Sequence, residues 1–420
     1  MRRNILVSLK VKILFLIFIF LFSQNLSFAQ DIEIKSLRVY SSEDEREFPI
    51  IDLSDPNHKG ITIEFDAQSQ FIPNINLEFK FCDSQWNPYD NAFLTNPMYN
   101  TEHSLLFDYL PSTVRGAKFH YSGKFPNNNI TFPFSGKWRF YLVDTQNRNL
   151  IYGSGKFFVV KPEVKLNVLL SNEGSEGDLP DLAALRRTLV ISSDFTLPDS
   201  LFPANVMQVE IIANRKFNYP IIIDRSSYTT DRFYEWNASN KFSFTAKNIR
   251  PGNEYRQTDT RDIGKYNSST VNAKFGDIET SNFFTHGRRD FNGGSLILNY
   301  RDENADYMNV VFKLRSPENI KSPIFLVGSF NDWTVSPDYE MFDDKGLMNI
   351  PVQLKRGVYD YQYVTGDVIN NKVENIEWEI LEGNFWETQN DYSIFLFYRT
   401  EEKGGYDKII GYKKIKSGAL

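Results

Sequence analysis

Asn74-Ile75-Asn76-Leu77-Glu78-Phe79-Lys80-Phe81 alternates polar and apolar residues without a break. A period of two places Ile75, Leu77, Phe79 and Phe81 on one face of a half-buried strand and the polar residues on the other. Ile61, Ile63 and Phe65 alternate with Thr62, Glu64 and Asp66 in the same way, and Lys137-Trp138-Arg139-Phe140-Tyr141-Leu142 does so again. Phe157-Phe158-Val159-Val160 ends this first set. Lys161-Pro162 then reads as a hinge, because proline cannot continue a paired central strand.

Two further sets follow. Val206–Ile212, Ile221–Ile223, Lys241–Ala246 and Leu296–Tyr300 are strand candidates of the second, which opens on a polar loop at Ser171–Gly177. Leu182-Ala183-Ala184-Leu185 is a short helical fragment within it. Tyr307–Phe312, Ile324–Val327, Leu347–Leu354, Val358–Val364, Tyr392–Tyr398 and Ile409–Tyr412 make the third, with turn residues between them at sandwich spacing. Asp343-Asp344-Lys345-Gly346 reads as a tight turn, with Asp opening it and Gly taking positive φ. The expected fold class is all-β, with three consecutive β-sandwich domains of Ig-like or early-set type and little helix. Their expected ranges are 30–162, 163–305 and 306–420.

Composition agrees and narrows the function classes. The 420 residues carry Lys+Arg 47 against Asp+Glu 53, a net charge of −6. That balance leaves no electrostatic footprint for nucleic acid. A hydrophobic content of 41% with 15% aromatics supports packed cores. One Cys excludes an intramolecular disulfide and a Cys-based zinc site. Cys82 itself reads as a small, semi-buried residue.

The N-terminus sets the compartment. Met1-Arg2-Arg3 through Lys12 is a basic stretch, and Ile13–Phe22 is an unbroken apolar run. It is about half the ~20 residues that a membrane-spanning helix needs. Ser27-Phe28-Ala29 supplies small residues where a signal peptidase reads them, so cleavage is expected between Ala29 and Gln30. The leader takes Arg2, Arg3, Lys10 and Lys12 with it and leaves the exported chain more acidic still.

The sequence carries no catalytic motif. Gly-x-Ser-x-Gly, a phosphate-binding loop, Gly-x-Gly-x-x-Gly after a strand and His-Glu-x-x-His are all absent. The four histidines, His58, His103, His120 and His286, sit in unrelated contexts. His120, between Phe119 and Tyr121, reads as a strand residue. The chain is therefore expected to be no enzyme and to need no cofactor and no metal.

Ile324-Phe325-Leu326-Val327-Gly328-Ser329-Phe330-Asn331-Asp332-Trp333, followed by Leu354–Val364, resembles early-set sandwiches that include glycogen- and starch-binding modules. The resemblance implies either a Trp333 that stacks on sugar, with Trp378 as a second candidate, or a Trp333 that plugs the end of its own sandwich; the second is preferred. Large aromatics bury much area and more often serve packing.

A wider resemblance is to the type IX secretion system plug protein family. It rests on Glu382-Gly383-Asn384-Phe385-Trp386-Glu387-Thr388-Gln389-Asn390-Asp391-Tyr392 and Tyr406–Tyr412. Pro251-Gly252-Asn253-Glu254-Tyr255-Arg256, Asp290-Phe291-Asn292-Gly293 and Ala305-Asp306-Tyr307 continue it through the middle of the chain. Phe119-His120-Tyr121 and Ser135-Gly136-Lys137-Trp138 fit it loosely in the first domain. What it implies is a monomeric, non-catalytic periplasmic protein. Such a protein associates with the outer membrane through its partner, a very large β-barrel translocon, and closes its periplasmic opening when no cargo is bound. The alternative is a periplasmic or surface carbohydrate-binding protein using the last sandwich; an accessory module of a polysaccharide hydrolase ranks lowest.

The signature residues have a structural and a partner-contact reading. Gly252, Asn253, Glu254, Tyr255, Arg256, Gly383, Asn384, Phe385, Asn390, Asp391 and Tyr392 are carried as structural or interface candidates. Glu254, Arg256, Asp259 and Arg261 alternate in sign at period two, which suits a cross-strand charge ladder. Asn253 and Asn384 each follow Gly and suit tight turns.

Overall fold

The computed structural model describes residues 31–57, 60–95, 100–174 and 187–418. The expected cleavage point at Ala29–Gln30, His58 and the fragment Leu182–Leu185 lie outside the described residues. The described chain is strand and loop, with only short 3₁₀ turns such as Pro203–Asn205 and Pro337–Tyr339 as helix.

The first sandwich pairs two sheets. One runs in the order Glu33–Ser41, Ile61–Gln68, Phe119–Phe125, Asp108–Tyr109. The other runs Ile50–Asp52, Ile151–Val160, Gly136–Asp144, Ile75–Cys82, Thr101–Glu102. Ile75, Leu77, Phe79 and Phe81 all enter the core between them, with Trp138, Phe140 and Phe157, while Lys80 faces out. Asn76, on the polar side of the alternation, is nevertheless buried; its Oδ1 accepts the Ser104 N–H at 2.9 Å.

The second sandwich is discontinuous in sequence. Its first sheet is Asn167–Gly174, Arg187–Thr196, Lys241–Ile249, Arg232–Trp236. Its second is Ile221–Asp224, Val206–Ala213, Asp391–Thr400, Tyr406–Lys416. Val209 faces Leu396 and Ile211 faces Ile394 in register. Both pairs lie in the same core. The ranges 163–305 and 306–420 expected from the sequence therefore cut across the sheets. The last hairpin of the chain completes the second sandwich, and the third is inserted between Ile249 and Asp391. The physical reason is that Val206–Ala213 is buried on both faces and both edges, so it needs a partner strand on each side. Only one of those partners is local. The polar loop expected at Ser171–Gly177 is corrected in part: Ser171 to Gly174 continue an edge strand paired with Arg187–Val190.

The inserted sandwich has Gly357–Ile369 at its centre, buried along its first ten residues. Arg256–Asp259, Ser295–Ile297, Ile324–Gly328 and Lys372–Glu377 all pair with it. The facing sheet holds Tyr307–Arg315 between Leu347–Lys355 and the short strands Thr270–Asn272 and Glu279–Thr280. The turn expected at Asp343–Gly346 is a two-residue hairpin loop. Lys345 and Gly346 have φ of 54° and 85°, the mirror-image turn that suits a twisted hairpin, and the Gly346 N–H caps Asp343 Oδ1 at 2.7 Å.

The three sandwiches pack into one body. Phe158 of the first stacks on Phe395 of the second at 4.4 Å within a cluster that includes Phe48, Ile212, Phe217 and Ile409. Leu110, Val114 and Ala117 of the first meet Ala305 and Tyr307 of the third.

Candidate functional site

The two signature segments, 252–256 and 382–392, come together where the chain leaves the second sandwich and returns to it. They are joined by asparagine side chains bonded to backbone. Asn384 Oδ1 accepts the Gly252 N–H at 2.9 Å. Asn253 Nδ2 donates to the carbonyls of Glu382 and Thr285 at 2.8 and 2.9 Å. Asn390 Nδ2 donates to Pro251 O at 2.8 Å, and Asn390 Oδ1 accepts from Asn214 Nδ2 at 2.7 Å. Asn214 Nδ2 also reaches the Tyr255 hydroxyl at 2.9 Å. The Phe385 N–H closes the set on Gly252 O at 2.7 Å. Asn253, Asn384, Asn390, Glu254, Tyr255 and Tyr392 are buried, so each of these bonds saves a buried polar group from going unpaired. Gly383, at φ 78°, passes so close to Phe283 O that a Cβ would sit 2.4 Å from it. Asp391 lies at the rim and pairs with Lys414 at 2.9 Å.

The charges behave differently from the expected ladder. Only Arg261 and Asp259 pair locally, at 2.7 Å and partly exposed. Arg256 turns inward and bridges Glu279 at 3.0 Å and Glu382 at 2.9 Å. Burial alone would lower its pKa, but the two carboxylates overcome that and raise it. The Tyr361 and Tyr363 hydroxyls also donate to Glu279.

Beside this lies a buried carboxylate pair. Asp360 accepts from the N–H groups of Phe291 and Gly293 and from Gln257 Nε2, at 2.8 to 2.9 Å. Asp290 accepts from the N–H groups of Asn292 and Tyr255. Burial pushes both carboxyls far above the ordinary range, and Asp290 is raised further by the charge of Asp360.

Two buried ion pairs tie the first sandwich to the others. Lys137 meets Glu210 of the second at 2.8 Å and donates to Ser84 O. Asp66 is bound by Lys355 and Tyr307 of the third at 2.7 and 2.8 Å, and by His120 Nδ1 at 2.7 Å. His120 is a buried strand residue stacked on Tyr300, with ring centroids 3.8 Å apart. Cys82 is fully buried, and burial pushes its thiol up to about 12, far from a reactive thiolate.

Trp333 is 1% exposed. Its ring lies 4.1 Å from Tyr255 by centroids, and its Nε1 donates to Gly293 O at 2.8 Å. The sugar-stacking reading of Trp333 is corrected accordingly: neither ring face is open to a pyranose. Trp378 is half-buried against Tyr219, and one face is taken by Lys216 Nζ at 3.8 Å. Among the described residues no group of three or more His, Cys, Asp and Glu could hold a metal ion. No helix among them is long and apolar enough to cross a membrane.

The fold and the site define a class first: a body of three fused β-sandwiches whose polar machinery is turned inward. Residues 34–161 match the family model described as the type 9 secretion system plug protein 1st domain. The first sandwich is thus similar to a plug-protein first domain, in the part of the chain where the family motifs read as most diffuse. A crystal structure of a hypothetical protein from Parabacteroides merdae is similar over 92% of this chain and 98% of that one, with 20% identity and a TM-score of 0.73. It shares the fold. A structure of a 1.5-MDa bacterial ice-binding adhesin aligns at 8% identity over 91% of this chain and 96% of that one, with a TM-score of 0.14, too low to carry any argument. No curated protein matches the chain.

Proposed function

We propose that this protein is a non-catalytic periplasmic plug of the type 9 secretion system. It is exported by the leader ending at Ala29 and held at the outer membrane by its partner. There it closes the periplasmic opening of the large translocon barrel while no cargo is in transit. The observation that carries the reading is the match of the first sandwich to the plug-protein first domain.

The physics supports it. A barrel wide enough for large cargo encloses an aqueous channel that leaks small solutes unless blocked. A blocking body has to resist deformation, and here buried ion pairs and an aromatic cluster lock three sandwiches together. Release then needs only a competitor that shifts the relative affinity. The signature residues serve this body from inside, by joining the inserted sandwich to its host. The carbohydrate reading loses its principal residue, because Trp333 is covered.

The test is affinity purification of the tagged protein from gently solubilised envelopes, with mass spectrometry of what accompanies it. Near-stoichiometric recovery of one very large outer-membrane barrel is expected. Recovery of the protein alone from the periplasm overturns the proposal.

A further inference from the structure

A recess of about 240 Å³ opens where all three sandwiches meet. Arg139 and Lys156 come to it from the first, Phe217 and Asn218 from the second, and Asn331, Asp332 and Thr334 from the third. Arg215 borders it, donating to the carbonyls of Val39 at 2.6 Å and Glu47 at 3.0 Å.

The sheet beneath is unusual in its charge order. Lys80 lies directly opposite Arg139, and Arg139 directly opposite Lys156, on three adjacent strands. Like charges facing each other across strands repel and cost stability. Among the described residues, none of these cations, nor Arg215, is in an ion pair. Aromatic faces moderate the row: Lys156 lies over Trp86 at 4.8 Å, and Arg139 over Tyr141 at 5.1 Å. Among the described residues that line the recess the one acid is Asp332, which acts on Lys156 and Arg215 from beyond ion-pair distance. Asp332 is reached by solvent at the mouth. Burial and the neighbouring cations pull Lys156 down to about 8.

Around the recess two buried donors, Arg139 Nε and Asn331 Nδ2, have no hydrogen-bond partner among the described residues. Both belong to residues that line the recess. An unpaired buried donor costs free energy that an acceptor ligand would recover. Lys156 and Asn218 are already joined, Nζ to Oδ1 at 2.5 Å, and Asn218 Nδ2 holds Thr334 at 2.8 Å. That chain fixes the wall of the recess across all three sandwiches.

We propose that this recess binds a small oxyanion, a phosphate or a short carboxylate. The anion would neutralise the cation row, accept from Arg139 Nε and Asn331 Nδ2, and bridge the three sandwiches. The volume admits a small anion with a few waters and excludes an oligosaccharide or a folded partner. Since the lining comes from three units, the ligand binds only the assembled body and stabilises it by mass action.

Equilibrium dialysis of the exported full chain against radiolabelled inorganic phosphate, and separately against succinate, tests this at constant ionic strength set by chloride. One saturable site is expected for at least one of the two probes, and which one binds names the source. Arg139→Gln and Lys156→Gln should each weaken it about tenfold. Asp332→Asn, at the exposed mouth, should tighten it several-fold. That third variant decides the matter even where the first two fold poorly. Absence of saturable binding for both probes, or an affinity indifferent to Asp332→Asn and to the folded cation variants, overturns the proposal.

Discussion

Asn214 Nδ2 donates to Asn390 Oδ1 at 2.7 Å, although 176 residues separate them in sequence. The bond spans the point where the inserted sandwich begins and ends. Asn390 also holds Pro251 O, and its own N–H is held by Ser417 Oγ at 3.0 Å. Asn390→Ala strips two of these contacts and leaves the Pro251 carbonyl buried without a donor. The expected cost is about 2 kcal/mol. Asn390→Asp keeps the shape, replaces a donor with a charged acceptor facing Pro251 O, and should cost more. Urea unfolding of the two variants checks the order; an aspartate variant as stable as wild type would refute the assignment.

Lys137 and Glu210 form a pair in which burial works against both charges. Burial drives the Lys137 pKa down and the Glu210 pKa up, and each is only partly offset by the other's charge. Such a pair is a weak source of net stability but is costly to break from one side. Lys137→Met alone should therefore cost about 3–5 kcal/mol. Adding Glu210→Gln should recover a large part, because Gln can still accept from Gln208, now 2.7 Å from Glu210 Oε1. A double-mutant cycle by chemical denaturation reads the coupling directly. Additive losses would mean that the two groups do not act together.

Strand patterns were legible in the sequence where one face alone is buried. Asn74–Phe81 announces itself because Lys80 and Phe81 need opposite environments. The insertion was not legible. Val206–Ala213 reads the same whether its second neighbour is local or is Asp391–Thr400, nearly two hundred residues on. The signature asparagines stood out through family resemblance, while their partners lay beyond the reach of any local pattern. Arg139 and Lys156 looked like ordinary polar-face residues of separate strands. Only the register that sets them opposite each other reveals the cation row. The cross-strand ladder expected at Glu254–Arg261 followed from period two, but Arg256 found its carboxylates on distant segments instead.

Asp66 links stability to acid pH. Burial opposes its ionisation, but His120 and Lys355 outweigh burial and hold its carboxyl below the usual range. A depressed folded-state pKa contributes stability that is present above the unfolded value of about 3.9 and is lost as pH falls through the folded value. Asp66→Asn removes that contribution and leaves Lys355 buried without its counter-charge. A loss of about 3–5 kcal/mol near neutral pH is expected. The gap to wild type should narrow below pH of about 4. Thermal unfolding from pH 3 to 7 measures it; a gap that is constant with pH would show that folding does not depress the Asp66 pKa.

Asp290 has the opposite sign. Its folded-state pKa is raised by burial and then by Asp360, to about 8. Between the unfolded value of about 3.9 and that folded value the native state holds the extra proton. Stability from this group is thus complete at low pH and declines as pH rises through the folded value. Asp290→Asn should flatten the decline toward alkaline pH. It also imposes a constant cost, because one amide edge presents a donor to the N–H of Tyr255 or Asn292. The slope of melting temperature against pH separates the two effects: an unchanged slope would show that Asp290 is ionised throughout.

Trp333 decides between a packing and a sugar-binding role for the inserted sandwich. Its turn residues, Asp332 and Trp333, both have positive φ, and the ring is held by Tyr255, by Gly293 O and by the apolar wall of Phe325, Val327 and Val364. A ring enclosed on this scale contributes through burial, so Trp333→Ala should cost about 3–5 kcal/mol. The backbone at Gly293 sits so close that a Cβ there would come within 2.9 Å of the indole nitrogen, and Gly293→Ala should disturb the same contact. Sugar binding requires a ring face that water can reach, and this one has none. The wild-type chain should therefore pass through maltooligosaccharide resin without retention. Retention that a folded Trp333→Ala variant lost would restore the carbohydrate reading and demand an opening of the sandwich that the buried indole hydrogen bond opposes.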